Sequence, residues 1–184
     1  MKLKSIAVSL GACFVLLGID AFFVIPSLSA EPAHEYTGAK KCSMCHKTPV
    51  QGEQYAKWQA SKHAKAFETL GTPAAKEAGA KLGVTDPQTD GKCLKCHSAA
   101  YGGTTAKVTE AIAVEEGVSC ESCHGGGKDY MKMTVMKDKD AAIAAGLMIP
   151  NEKTCLGCHN EESPTYKPFN YAERVEAIKH AKPK

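Results

Sequence analysis

A mainly α fold of short helices and long loops is what the sequence predicts, and three observations predict it. Helix signals come in short stretches, opened by a capping residue or a proline and closed by glycine. No alternation of apolar and polar residues is long enough to read as a strand. The pattern C-x-x-C-H occurs four times, at 42–46, 93–97, 120–124 and 155–159, at unequal intervals that exclude a fixed-period solenoid.

Those four motifs are Cys42, Cys45 and His46; Cys93, Cys96 and His97; Cys120, Cys123 and His124; Cys155, Cys158 and His159. Eight of the nine cysteines belong to them. Paired C-x-x-C units also suit zinc ribbons and disulfide frameworks, but neither needs a histidine after every pair. With 7 histidines in 184 residues, four landing there by chance has odds on the order of 10⁻⁶. The spacing points to covalent haem: two thiols add to the porphyrin vinyls and the adjacent imidazole ligates the iron. The expectation is therefore four covalently attached c-type haems, wrapped by the short helices and loops.

Met1 to Ala30 begins with Lys2 and Lys4, runs on as "IAVSLGACFVLLGIDAFFVI" and closes with "PSLSA", the layout of a secretory signal cut after Ala30. An uncleaved membrane anchor is the rival, with Asp20 costly in mid-bilayer. A lipoprotein acceptor role for Cys13 would leave an apolar stretch beside the lipid, so Cys13 reads as inert. Export places the protein in the periplasm or at the cell surface, in contact with a membrane only if the segment is uncleaved. It also implies haem-maturation machinery as a partner. Residues 31–184 then form a single domain with about 38 residues per haem, so the haems must serve as core. The low aromatic content, 7%, agrees with macrocycles taking the place of large rings. Net charge is +3, falling to +2 without Lys2, Lys4 and Asp20, which supports neither nucleic-acid binding nor a polybasic membrane patch.

Along the chain, a polar lead carrying His34 precedes the first motif. Thr48 and Pro49 then open one helix over 49–70, with Gly52 a weak point and Ala56, Ala60, His63, Phe67 and Leu70 at helical spacing. On that apolar face His63 is a candidate distal ligand for an iron. Thr72-Pro73 starts a second helix that stops at Gly83, and "TDPQTDG" is a loop. Three glycines after the third motif, Gly125 to Gly127, let the chain turn closely over a haem edge. Because no Gly-Lys-Ser/Thr pattern follows, a phosphate loop is discounted. A short helix over 138–145 ends at Gly146, and a terminal helix, "NYAERVEAIKH", delivers His180.

The stretches "GAKKCSMCHKTPVQGEQYAKWQASKHAKAFETL", "GVSCESCHG" and the terminal "KH" resemble the tetrahaem cytochrome c-554 family, known for accepting electrons from hydroxylamine oxidoreductase in ammonia-oxidising bacteria. The resemblance implies a helical periplasmic carrier with closely packed haems, three bis-histidine irons and one five-coordinate iron. By position, His46, His97, His124 and His159 would be proximal ligands and His63 and His180 distal ones, with the open iron at His97. The chain departs from the family where "GGGKDYMKM" holds no distal histidine, which leaves His34 as the remaining candidate. A shorter tail after the fourth motif means the family's partner is not carried over.

Electron transfer between redox partner proteins, without chemistry on a substrate, is the leading functional expectation. Seven histidines less four proximal ones allow at most three bis-histidine irons, with Met131, Met133, Met136 and Met148 as further ligand candidates. Two rivals stand beside it. One is a small nitrogen-oxide reductase working at an open iron, with Lys128, Tyr130 and Lys132 as proton donors. The other is a subunit of a haem filament, in which His34 donates to a neighbouring chain.

Overall fold

The computed structural model describes residues 34–102, 106–107 and 112–181. The described residues fall within one compact unit, Pro32–Lys184. The expected signal or anchor, with Cys13, lies outside them.

Eleven short α-helices carry the described chain: α1 (Ala39–His46), α2 (Gln54–Gln59), α3 (Ala66–Thr69), α4 (Pro73–Ala80), α5 (Gly91–His97), α6 (Ala99–Gly102), α7 (Cys120–His124), α8 (Met133–Met136), α9 (Lys139–Ala144), α10 (Glu152–Leu156) and α11 (Tyr171–Ile178). Two 3₁₀ turns, Pro49–Gln51 and Val114–Glu116, join them. Two-residue strands β1 (His34–Glu35) and β2 (Ala106–Lys107) pair in parallel, His34 opposite Ala106. No described helix is long and apolar enough to cross a membrane.

Local chemistry accounts for where several helices start. The Asp138 carboxylate accepts from the amides of Asp140 and Ala141, both at 3.0 Å, and caps α9. Thr72 accepts from Ala75 N at 3.2 Å at the head of α4, with Pro73 in the first turn. Asn151 and Thr154 form a reciprocal capping box on α10.

The expected helix over 49–70 is instead a 3₁₀ turn, α2, a turned segment and α3. Gly52 and Glu53 both sit in the left-handed region, at φ 95° and 54°, which stops the first turn from continuing. Beyond α2, the carbonyl of His63 accepts from Val118 N at 3.0 Å and from Ala66 N at 3.1 Å. Those bonds fix residues 60–65 as turns against Gly117 and Val118, and His63 stands on a turn rather than on a helix face. Ala56 and Ala60 are exposed, so the apolar stripe inferred from spacing does not form a continuous face. The terminal helix also stops earlier than expected, since Lys179 is extended at ψ 142° and His180 lies beyond α11.

Among the described residues the buried apolar side chains are few, and three of them are alanines: Tyr36, Ala39, Leu70, Val84, Leu94, Ala99, Ile112, Tyr130 and Ala142. Tyr36, Ala99 and Ile112 make the one packed cluster, with Ala100 against it. That is far less apolar filling than an ordinary domain of this length folds around.

Candidate functional site

Three of the four C-x-x-C-H segments are helical through both cysteines. In α1, α5 and α7 the residues at i, i+3 and i+4 share one helix face, so two thiols and an imidazole point the same way. The fourth starts in α10 and leaves it by a turn at Gly157 and Cys158, with His159 just beyond.

The motifs come together in a defined order. Cys120 donates a thiol hydrogen bond to Cys42, which lowers the Cys42 pKa and raises that of Cys120. Cys158 does the same for Cys96, bringing the Cys96 thiol down to about 7 while its own rises. Cys155 lies close enough to Cys123 to raise its pKa, after burial. Motif one therefore adjoins motif three, motif two adjoins motif four, and motifs three and four meet between them.

Two histidines outside the motifs face motif histidines. The His63 and His159 rings have centroids 6.1 Å apart, and the His124 and His180 rings 5.9 Å. Two imidazoles bound to one metal at about 2 Å have ring centroids about 6 Å apart, so both couples fit an iron between them. Burial lowers the pKa of His63, of His124 and of His159, the neighbouring His159, His180 and Arg174 charges adding to it respectively. That favours neutral imidazole, the form that binds a metal.

The Nδ1 positions are held as well. His97 Nδ1 donates to Ala66 O at 2.8 Å and His124 Nδ1 to Met148 O at 3.1 Å. His46 Nδ1 pairs with Gln54 Oε1 at 3.3 Å, and Gln54 Nε2 donates to Ala181 O at 2.8 Å. Such bonds set the tautomer that leaves Nε2 for the metal. Few large buried side chains, thiols grouped by motif and imidazole couples at metal-bridging distance together fit covalently attached haem.

Comparison with known proteins gives the same direction. The profile described as "Cytochrome c554 and c-prime" matches residues 41–125. Cytochrome c-554 of Nitrosomonas europaea is 34% identical over 160 residues, covering 77% of this chain and 64% of the relative. The chain belongs to the cytochrome c-554 family of multihaem c-type cytochromes. The C-type polyheme cytochrome OmcC of Geobacter sulfurreducens is 29% identical over 99 residues, 45% of this chain and 12% of OmcC. This cytochrome thus spans less than two thirds of the length of either relative. No solved structure matches.

Some residues important to this cytochrome's site are not legible as such in its sequence. Glu121, the second letter of the third motif, is 1% exposed. Its Oε1 accepts from Thr37 N at 2.9 Å, Gly127 N at 2.6 Å and the Thr37 hydroxyl at 3.3 Å, while Oε2 accepts from Gly38 N at 2.8 Å. Glu116 accepts from Ala39 N at 3.0 Å. Together they satisfy amides that α1 leaves without internal partners, since Gly38 supplies no side-chain cap. Motif one is thereby fixed to motif three. An acid at an x position signals nothing by itself.

Two of the three proton donors considered for an open iron are otherwise engaged. Tyr130 is buried and its hydroxyl donates to Gly125 O at 2.9 Å, with burial pushing its pKa well up. Lys128 forms an ion pair with Glu35. Lys132 is exposed and precedes α8.

Proposed function

We propose that this cytochrome is an exported electron carrier with four covalent haems arranged in two pairs. The observation that carries the proposal is the pair of imidazole couples, each joining one motif histidine to one histidine outside the motifs. Bound haem iron supplies reversible one-electron chemistry. The chain's own part is to attach, ligate, shield and position.

In this reading Cys42 and Cys45, Cys93 and Cys96, Cys120 and Cys123, and Cys155 and Cys158 attach the four groups. His46, His97, His124 and His159 are the proximal ligands. His63 completes the site of the fourth motif and His180 that of the third, which closes both to outside molecules. The thiol contacts support a path ordered motif one, three, four, two. Neither His46 nor His97 has an imidazole from these couples facing it. The resemblance to the family supports His97 as the proximal ligand of an iron open to nitric oxide when reduced or cyanide when oxidised.

Residues 1–30 act as the export signal and 31–184 as the haem domain. Donor and acceptor are redox proteins, and haem-maturation machinery serves assembly. The experiment is intact mass with visible and paramagnetic resonance spectra of the purified protein. Four covalent haems, most of them low-spin and of low potential, are expected. Fewer than four haems, or mostly high potentials, would sink the proposal.

A further inference from the structure

We propose that His34 is the sixth ligand of the iron held by His46, and that Asp129 and a glycine cradle hold it in position. The inference rests on the four-haem reading above. His63 faces His159 and His180 faces His124, so His34 is the one histidine available to His46 and His97.

Which of the two it serves follows from a regularity in the backbone. His46 Nδ1 reaches, through Gln54, the carbonyl of Ala181 beside His180. His97 Nδ1 reaches the carbonyl of Ala66, three residues after His63. In both pairs, the motif histidine of one site lies beside the outer histidine of the partner site. The same rule applied to His124, whose Nδ1 reaches Met148 O, leads to Gly146 two residues earlier, and His34 rests on Gly146. Motif three is paired with motif one through Cys42 and Cys120, so His34 falls to His46. At the remaining place, His159, the neighbouring ring is Phe169.

Two contacts hold the His34 ring in place. A methyl placed on Gly146 would meet Cδ2, with Cγ and Nε2 equally distant at 2.6 Å, which puts Gly146 over the ring's face rather than at its edge. Nδ1 pairs with Asp129 Oδ2 at 2.9 Å. With Nδ1 occupied by the carboxylate, Nε2 is the nitrogen left for a metal. A methyl on Gly126 would run into the His34 carbonyl oxygen, so only glycine lets the two segments lie this close. Lys128 N donates to Glu35 O at 3.2 Å, and the Lys128–Glu35 ion pair closes the same junction. The glycine run after the third motif and the Lys-Asp that follows it are accounted for as the seat of His34.

A carboxylate on Nδ1–H makes the opposite nitrogen a stronger donor, which favours ferric iron and lowers the potential. Asp129 is in this sense a positioning and tuning residue.

The test uses the purified holoprotein. His34→Ala should raise the number of high-spin irons from one to two of four, with added imidazole restoring the lost low-spin signal. His34→Met, which refills the space, should keep low spin and raise one potential. Asp129→Asn should leave every spin state unchanged and raise that same potential. Four haems with an unmoved high-spin count in His34→Ala would overturn the His34 assignment alone. Unmoved potentials in Asp129→Asn would overturn the role of Asp129. A wild-type mass short of four haems would instead refute the reading beneath both.

Discussion

Replacing Glu121 by Gln tests whether the junction of motifs one and three depends on that buried carboxylate. Gln offers one oxygen where Glu offers two. With its oxygen at the Oε1 position it keeps the Thr37 and Gly127 amides and turns its NH₂ toward Gly38 N, which sits 2.8 Å from Oε2 in the native protein. Flipped, it keeps Gly38 N and turns NH₂ toward Gly127 N. Either way two donors oppose each other, and one buried amide loses its acceptor at a cost of about 1–3 kcal/mol. The bonds that remain lose their charge assistance, about 1 kcal/mol more. A total of about 3 kcal/mol corresponds to about 6–12 °C in melting temperature for a chain of this length. The assay is thermal melting of the holoprotein followed by Soret circular dichroism, with haem content checked by mass. Haem attachment should be intact, because Cys120, Cys123 and His124 are untouched. A variant that melts within about 2 °C of wild type would refute the reasoning, since both amide orientations predict a larger loss.

The outer ligands can be tested one at a time: His63→Ala and His180→Ala should each convert one low-spin iron to high spin with no loss of haem, and unchanged spectra would return either histidine to an ordinary packing role. Gly117→Ala should imitate His63→Ala in part. Its φ is 72°, and a methyl there would stand 2.7 Å from the His63 carbonyl, so strain of about 1–3 kcal/mol moves the turn that bears the ligand; a spectrum identical to wild type would disprove the coupling. Gln54→Leu should loosen both His46 and the segment bearing His180, seen as a broadened low-spin resonance signal and faster cyanide binding, whereas wild-type signals and rates would show that the amide bridge is dispensable. Asp138→Ala should cost about 1 kcal/mol by removing the cap of α9, and a melt superimposable on wild type would contradict that cap.

The parts of this protein that sequence makes legible are those whose chemistry is local. C-x-x-C-H needs neighbours three and four apart, a cap needs a side chain two or three residues from an amide, and both are visible in one dimension. Asp138, Thr72 and Asn151 therefore mark their helices well. The failure at 49–70 has the opposite character. Helical spacing from Ala56 to Leu70 is real as a pattern, but the carbonyl of His63 is taken by Val118 N, a bond across 55 positions that no window of spacing contains. His63 stands out in the sequence by its apparent apolar face and by the family resemblance, and of these the face does not form. Its partner, His159 rather than the nearby His46, depends on which motifs the chain brings together.

The long-range polar contacts share one property that explains their placement. Glu121 and Glu116 join motif three to motif one; His97 is bonded to the segment of His63; Gln54 joins His46 to the segment of His180; His124 is bonded to Met148. Each ties a residue in or next to one motif to a segment that serves another. An ordinary small domain fixes its elements by apolar side chains interlocking over a common core. Here such side chains are few, and flat cofactors packed by dispersion alone would leave neighbouring segments free to slide along them. Hydrogen bonds are directional, and a buried one is costly to leave unmade. Ties of this kind supply the register that a planar interior does not, which is why His63 and His180 can stand on a turn and near the chain end, outside regular helix, and still face motif histidines.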